Sequence, residues 1–387
     1  RTGRAWLYLP RTTCDVVVIG GGPAGAMAAR IAARHGLKVC VLEQHSLPRY
    51  KVCGGGLVRR VHDLLPQDLD LPMEHYCTKV SMRFQPDGRQ LDIETSSSVV
   101  NMTMRDQLDA ALLASAERAG AKVISECEVL SLQPAQSGIE LATSQDIYKA
   151  DYVVLAAGAA TRLASDAGWS ESLERIPALE LEVDVDDDTL ARFQGQAIFD
   201  FGVIPQGYAW VFPKRRHLSI GVLSVNRHKP GLQAHVRDYM RLLKIQPLRE
   251  PTFHGYVIPV RPRSRCLAQN RVLLVGDSAG LADPVTLEGI SHALISGELA
   301  AQALCDASAG RVEVTYNQLI DQQIRPDLEA AAVLARVLYG PAMSSARFGG
   351  AMGRRAVAFV GDVMQGKRRY SELRQRRAWR VIEALLG

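Results

Sequence analysis

Residues 14–43 leave the chain few folds to choose from. Positions 15–19 form a short β-branched run closed by glycine, the pattern of a buried parallel strand. Gly20, Gly22 and Gly25 follow in the spacing G-x-G-x-x-G. Without a Cβ, Gly20 permits a tight turn, Gly22 lets a diphosphate reach the backbone, and Gly25 lets helix and strand pack closely. Residues 23–35 are alanine-rich and helical, and Gly36 stops them in the left-handed capping position. The N-terminus of that helix offers free N–H groups and partial positive charge to an anion. A second strand, 37–42, delivers Glu43 eighteen residues after Gly25, where a carboxylate can accept ribose hydroxyls. Strand, helix, strand and acid agree, so the segment is expected to hold a dinucleotide.

A chain of 387 residues exceeds one minimal domain, and 47% hydrophobic residues supply ample core. The net charge of +5 is too mild to imply nucleic-acid binding. Seven scattered cysteines (Cys14, Cys40, Cys53, Cys77, Cys127, Cys266 and Cys305) include no C-x-x-C, which argues against a zinc site or disulfide framework and for a reducing compartment. Cys14 and Cys40 fall within strands and are expected in the core. No metal site is expected. No apolar run approaches the ~20 residues that span a bilayer. Residues 1–13 resemble a leader outside the fold.

Beyond Glu43 the pattern alternates. A glycine-dense loop surrounds Cys53, and residues 61–65 suggest a short helix. Residues 79–84 and 90–94 form a hairpin signal. A helix is expected from Met104 to Gly120, then strands at 121–125, 127–133, 139–143, 147–149 and 151–157, the last ending at Gly158. Residues 170–265 carry antiparallel strand signals (180–185, 196–201, 208–212, 217–225) and a helix at 232–243. A strand at 271–275 returns and runs into a helix at 289–305; the remainder is helical, divided at Gly340-Pro341. The expected class is α/β. A discontinuous Rossmann-like dinucleotide domain (14–60, 100–165 and 266–310) joins a β-sheet substrate domain (61–99 and 166–265) and a helical C-terminal region (311–387).

The glycine fingerprint alone does not choose between NAD and FAD. Residues 272–290 do. Asp277, directly after a strand, can hold the ribityl hydroxyls of a flavin, Pro284 shapes the turn, and Gly289 opens a helix whose positive end would stabilise the charge of a reduced flavin. Tyr208, Trp210 and Phe212 alternate, so they share one strand face. They make either an aromatic sheet core or a flat apolar wall for a long hydrocarbon or aromatic ring. Lys214, with Arg215 and Arg216, either meets a phosphate head group or belongs to a solvated loop. Cys53 is either a proton donor or a small residue packed on the flavin. His292 is expected to pack within its helix. Gly349 to Gly353 lie in helical surroundings and suit close helix contact.

These segments resemble the flavoproteins of p-hydroxybenzoate-hydroxylase fold, and more narrowly the geranylgeranyl reductase family. The match is carried by Lys51-Val-Cys53-Gly-Gly-Gly56, by Tyr208-Ala-Trp210-Val-Phe212-Pro213-Lys214, by residues 276–290, and by the helix start at Arg105, across roughly residues 15–304. The resemblance implies FAD contacts at Gly20, Gly22, Ala24, Gly25, Glu43, Cys53, Gly54, Arg105, Val129, Gly158, Gly276, Asp277, Pro284, Gly289 and Ile290. It implies catalytic roles for Cys53, Tyr208 and Trp210, and a prenyl pocket at Tyr208, Trp210, Phe212 and Lys214. The chain departs from the family at Leu287, where a glycine is usual, and has only Gly221 where a G-x-G pair is common. Ala157 replaces the Asp of many hydroxylases, which leans away from aromatic hydroxylation.

The implied activity is FAD-dependent reduction of C=C bonds in a prenyl chain, with NADPH or a small redox protein as electron donor. The alternatives are an FAD-dependent monooxygenase or halogenase of aromatic or polyketide substrates, and a non-catalytic prenyl or flavin carrier. Nine basic residues between Arg354 and Arg380, against Asp362 and Glu372, are either a solvated face or a dock for an anionic bilayer. The expected location is cytoplasmic, with peripheral contact at the inner membrane surface.

Overall fold

The computed structural model describes residues 12–85, 88–170, 173–226, 231–262, 264–308, 310–340 and 351–375. The strand Thr12–Ile19 lies at the centre of an eight-stranded sheet, parallel to Val39–Leu42 on one side and Ile147–Leu155 on the other. Lys122–Ile124 and Val272–Leu274 extend the parallel ladder outward, and Ala268–Gln269 closes one edge. Its β-branched residues Val16, Val17 and Val18 are almost wholly buried because helices cover both faces. The strand begins at Thr12, so the end of the expected leader belongs to the sheet; residues 1–11 lie outside the described residues. Two expected strands, 147–149 and 151–157, are one continuous strand, because Ala150 is buried between Ile139 and Cys14 on neighbouring strands.

Helix Pro23–Arg34 packs against the strand before it and against helix Ile290–Asp306, and one glycine makes each contact possible. A Cβ on Gly25 would lie 2.1 Å from the Gly20 carbonyl oxygen, and one on Gly297 2.2 Å from that of Ala24. The glycine expected to seat helix on strand does so. Gly297 does the same between two helices that are remote in sequence.

The second sheet has seven strands in the order His254–Arg261, Glu174–Asp184, His217–Ser224, Gly207–Pro213, Gln196–Phe201, Lys79–Phe84, Arg89–Glu94. It is antiparallel except at one seam, where Gln196–Phe201 runs parallel to Lys79–Phe84. That pairing brings the early hairpin into the second sheet. Residues 75–77 do not follow it. His75–Cys77 instead pairs with Val100–Met102, which also pairs with Gly56–Val58, forming a three-stranded sheet between the lobes.

The two faces of the large sheet serve different cores. Ala209, Val211, Ile220 and Val222 pack with Val236 and Tyr239 of helix Leu232–Leu242. Tyr208, Trp210 and Phe212 alternate with them and face the dinucleotide lobe. Beyond residue 311 the chain forms helices Val312–Gln323, Arg325–Leu338 and Ala351–Met364. Gly361 of the last lets it approach Ile93 of the early hairpin: a Cβ there would meet the Ile93 Cδ1 at 2.5 Å. Pro341, Gly349 and Gly350 lie outside the described residues.

Replacing Gly297 with Ala forces a methyl against the Ala24 backbone, where overpacking costs about 1–3 kcal/mol. The expected result is a lower thermal unfolding midpoint together with loss of bound flavin, read by calorimetry and by absorbance of the purified protein.

Candidate functional site

A cavity of about 780 Å³ lies where the lobes meet, in the upper part of the range for small-molecule clefts. At one end it is built by the glycine fingerprint. Gly20 has φ +101°, and a Cβ there would lie 2.5 Å from the Ala156 carbonyl oxygen. Gly22 is different: the nearest atoms to a Cβ would be the guanidinium Nη2 atoms of Arg105 and Arg49, each at 3.9 Å. A space bounded by two guanidiniums beside a helix N-terminus suits a diphosphate.

Both arginines are fixed from behind by buried Asp109. Arg105 donates to it through Nε (3.0 Å) and Nη2 (2.9 Å), and Arg49 through Nη1 (2.9 Å). Glu43 is buried on the cavity wall, where it accepts from the backbone N–H of Gly21 (2.9 Å) and His45 (3.1 Å) and pairs with Arg49 Nε (3.2 Å). Ala24, Val129 and Gly158 line the same end.

At the middle of the cavity, Asp277 sits in the short helix Gly276–Ala279 after the returning strand. Tyr256, from the edge of the second sheet, donates to its Oδ2 at 2.6 Å. Lys51 places its ammonium 3.3 Å from the Tyr256 ring centroid. Burial and then Arg105 pull that lysine down to about 8, against the opposing pull of Asp277. A Cβ on Gly289 would be 3.2 Å from Asp277 Oδ1, so glycine here brings the N-terminus of Ile290–Asp306 against that carboxylate. The turn before it is pinned by Glu288, which accepts from Ser291 N (2.7 Å) and Arg60 (2.9 Å). Burial pushes the Glu288 carboxyl up, but Arg60 and Ser291 outweigh it and hold it below the usual range. Within that turn Leu287 has φ +59° and its side chain lines the cavity.

The far wall is aromatic. Tyr208 and Trp210 have ring centroids 6.2 Å apart, Trp210 and Phe212 6.3 Å, and Phe199 meets both Tyr208 and Phe212 edge-on. The Trp210 ring occupies a slot left by Gly221 on the next strand, where a Cβ would lie 2.1 Å from Trp210 Cζ2. Tyr208 donates to the Thr286 carbonyl at 2.9 Å, tying the wall to the second glycine motif. Buried Trp210 Nε1 and Thr286 Oγ1 line the cavity and have no protein partner.

The Cys53 loop closes the space between. Its glycines let the loop approach its protein neighbours closely. A Cβ on Gly54 would lie 2.9 Å from the Phe212 ring, and one on Gly55 2.0 Å from the Thr103 carbonyl oxygen. Lys214, expected at a head group or in a solvated loop, is fully buried and donates to the carbonyls of Gly54 (2.7 Å) and Thr103 (2.9 Å). It anchors the loop from behind.

Of the other expected site residues, Gly25 and Pro284 do not line the cavity and act through packing and turn shape; Gly54, Gly276 and Ile290 do line it. His292 is buried in its helix and outside the lining, as expected of a packed residue. All seven cysteines are free, and no cluster of metal-ligating residues occurs among the described residues.

Comparison with known proteins agrees with this geometry. Residues 13–311 match the family model of an FAD binding domain. A digeranylgeranylglycerophospholipid reductase of Methanothrix thermoacetophila is 32% identical over 316 residues, covering 76% of this chain and 78% of that protein. The chain belongs to the geranylgeranyl reductase-like FAD-dependent oxidoreductases. A chloroplastic geranylgeranyl diphosphate reductase of Oryza sativa is 29% identical over 84% of this chain and 75% of its own length. A crystal structure of a geranylgeranyl bacteriochlorophyll reductase-like protein from Thermoplasma acidophilum superposes with a TM-score of 0.75 at 25% identity, covering 85% of this chain and 88% of that one. A flavin-dependent brominase superposes at 0.70 over 92% of this chain and 94% of its own, but at 18% identity that likeness shows the fold alone.

The residues of this member of the family fit FAD. The Gly22 space, bounded by two guanidiniums, suits a diphosphate, and Asp277 lines the same cavity. Arg49 and Tyr256 were not singled out in the sequence. Arg49 stands in a loop with no periodic signal, and Tyr256 reaches Asp277 from the other lobe. Arg49→Ala removes one charged donor from the Gly22 space. Losing a hydrogen bond to a charged group costs ~1.5 kcal/mol, about tenfold in the dissociation constant of FAD, which flavin titration by fluorescence checks.

Proposed function

We propose that this protein reduces carbon–carbon double bonds of a prenyl chain, the substrate lying between the aromatic wall and the Cys53 loop. The observation that carries the reading is the wall itself. Tyr208, Trp210 and Phe212 present three large rings to a cavity that also holds Asp277 and the diphosphate cradle. The similarity to a geranylgeranyl diphosphate reductase and to a digeranylgeranylglycerophospholipid reductase supports the same substrate class.

Reduced FAD supplies a hydride when bound. The chain's part is to place the alkene, exclude water and deliver the balancing proton. Placement falls to the rings of Trp210 and Phe212, both under a tenth exposed. Their slots are set by Gly221 and Gly54, so the wall is rigid rather than adaptable. Cys53, on the cavity wall beside Gly54, is the proposed proton donor to the alkene carbon left short of hydrogen. Its loop is held by Lys214, whose ammonium burial pulls down, with Glu182 and then Glu180 opposing.

Docking on a bilayer accompanies this proposal, since a prenyl lipid is dissolved in one. Arg368 pairs with Glu372, Arg369 with Asp327 and Arg374 with Glu329, whereas Arg354, Arg355 and Lys367 are exposed on the same region. No helix among the described residues is long and apolar enough to cross a membrane.

The reading is tested anaerobically. Chemically reduced holoprotein should return to the oxidised flavin spectrum on addition of geranylgeranyl diphosphate or a geranylgeranylated lipid, with loss of double bonds by mass spectrometry. Failure with every prenyl substrate sinks it, and stoichiometric oxygen consumption with an aromatic substrate would favour a monooxygenase instead. Trp210→Ala removes a buried apolar surface worth ~2 kcal/mol, so turnover should fall about thirtyfold with flavin content unchanged. Sedimentation with anionic but not neutral vesicles at low salt checks the bilayer contact, at ~1 kcal/mol per exposed basic residue near the surface.

A further inference from the structure

The loop that carries Cys53 is held from the second lobe by a carboxylate that nothing in the glycine motifs calls for. Glu180 is buried in the strand Glu174–Asp184 and faces the cavity. Its Oε2 accepts the backbone N–H of Cys53 at 2.7 Å, and its Oε1 accepts the hydroxyl of Ser219, on the neighbouring strand, at 2.6 Å. Within the loop, Gly55 N–H donates to Cys53 Sγ at 3.4 Å. A buried acid at a substrate-facing wall is costly unless it is used, and this one reaches across 127 positions of sequence to the residue proposed to move a proton.

We propose that Glu180 is a positioning residue for Cys53. Its carboxylate fixes the loop through the Cys53 N–H and so holds the cysteine at the cavity wall.

The groups facing Glu180 come from every neighbouring element. Glu182 stands two residues along the same strand, and its carboxylate meets His217 at 2.9 Å. Ser219 and buried Lys214 come from the adjoining hairpin. His254 lies opposite Glu180 in the edge strand and is 4.7 Å from the Tyr50 ring, centroid to centroid. Burial and then Glu182 push the Glu180 carboxyl up to about 7, while Ser219, Lys214 and the Cys53 N–H pull it back. The carboxyl therefore changes charge near neutrality. Above that point it is ionised and grips the Cys53 N–H as a charge-assisted acceptor. Below it that grip weakens, so turnover should fall as the pH drops through 7.

The inference rests on the reading of Cys53 as proton donor, but its deciding readout, alkylation, needs neither prenyl substrate nor reductant. The FAD holoprotein is alkylated with iodoacetamide from pH 5.5 to 9, and the rate at Cys53 is followed by peptide mass spectrometry. In the unsubstituted protein the rate should show an inflection near pH 7, where the Glu180 carboxyl changes charge. Glu180→Gln keeps the shape and a Cys53 acceptor but cannot ionise. It should remove the inflection, raise Cys53 alkylation at pH 8 about threefold as the charge-assisted grip on the loop is lost, and lower turnover with little change in substrate KM. Ser219→Ala, which withdraws one donor from the carboxylate, should move the inflection to higher pH, and it serves alone if Glu180→Gln does not fold. Cys53 alkylation that keeps its rate and pH profile in Glu180→Gln overturns the proposal, as does an inflection that stays in place in Ser219→Ala. An absence of prenyl-dependent reoxidation would count against the proposed activity and leave the alkylation result intact.

Discussion

The whole site depends on how closely two helices approach each other. Pro23–Arg34 carries the diphosphate cradle and Ile290–Asp306 carries the end of the second motif, yet more than two hundred and fifty residues separate them. With no side chain at Gly297, one backbone rests on the carbonyl of Ala24, which is itself at the cavity wall. Any extra atom there would separate Gly22 from Asp277. Positions that a dinucleotide must bridge are thus set by backbone contact, which is stiffer than contact through side chains.

The second lobe is attached to this frame by polar contacts that converge on one loop. Lys214, Glu180 and Tyr208 each leave the large sheet and end on the dinucleotide lobe, at Gly54 and Thr103, at Cys53, and at Thr286. Each is buried, so each must be satisfied by a partner of fixed position or be costly to keep. The aromatic wall and the Cys53 loop are therefore registered to one another by hydrogen bonds, whereas the rings alone could slide. The three-stranded sheet, with Gly56–Val58 at its edge, braces the same loop from its other end.

The sequence exposed the dinucleotide lobe well because each of its glycines has a local reason: a turn at Gly20, a helix seat at Gly25, a cap at Gly36. The alternating rings at Tyr208, Trp210 and Phe212 were equally legible, since a strand's period fixes which face they share. What stayed hidden were pairings across the lobes. Lys214 follows an aromatic strand and is flanked by Arg215 and Arg216, so a linear pattern places it in solvent; only the fold turns it inward. Glu180 looked like an unremarked acid in an alternating strand, and its partner lies in another lobe. Residues 147–155 appeared as two strands because Ala150 and Asp151 carry weak β-preference, which burial between two neighbours overrides.

Leu287 holds a left-handed backbone in the turn closed by Asp283, whose carbonyl accepts its N–H at 2.8 Å. That conformation costs a branched side chain on the order of 1–2 kcal/mol, which glycine would escape. The leucine nevertheless lines the cavity, where its bulk takes up volume that glycine would leave open. Cavity volume and turn strain are thereby linked at a single position: a glycine there would relax the backbone and widen the chamber together, whereas the leucine keeps a slimmer chamber at the expense of the turn.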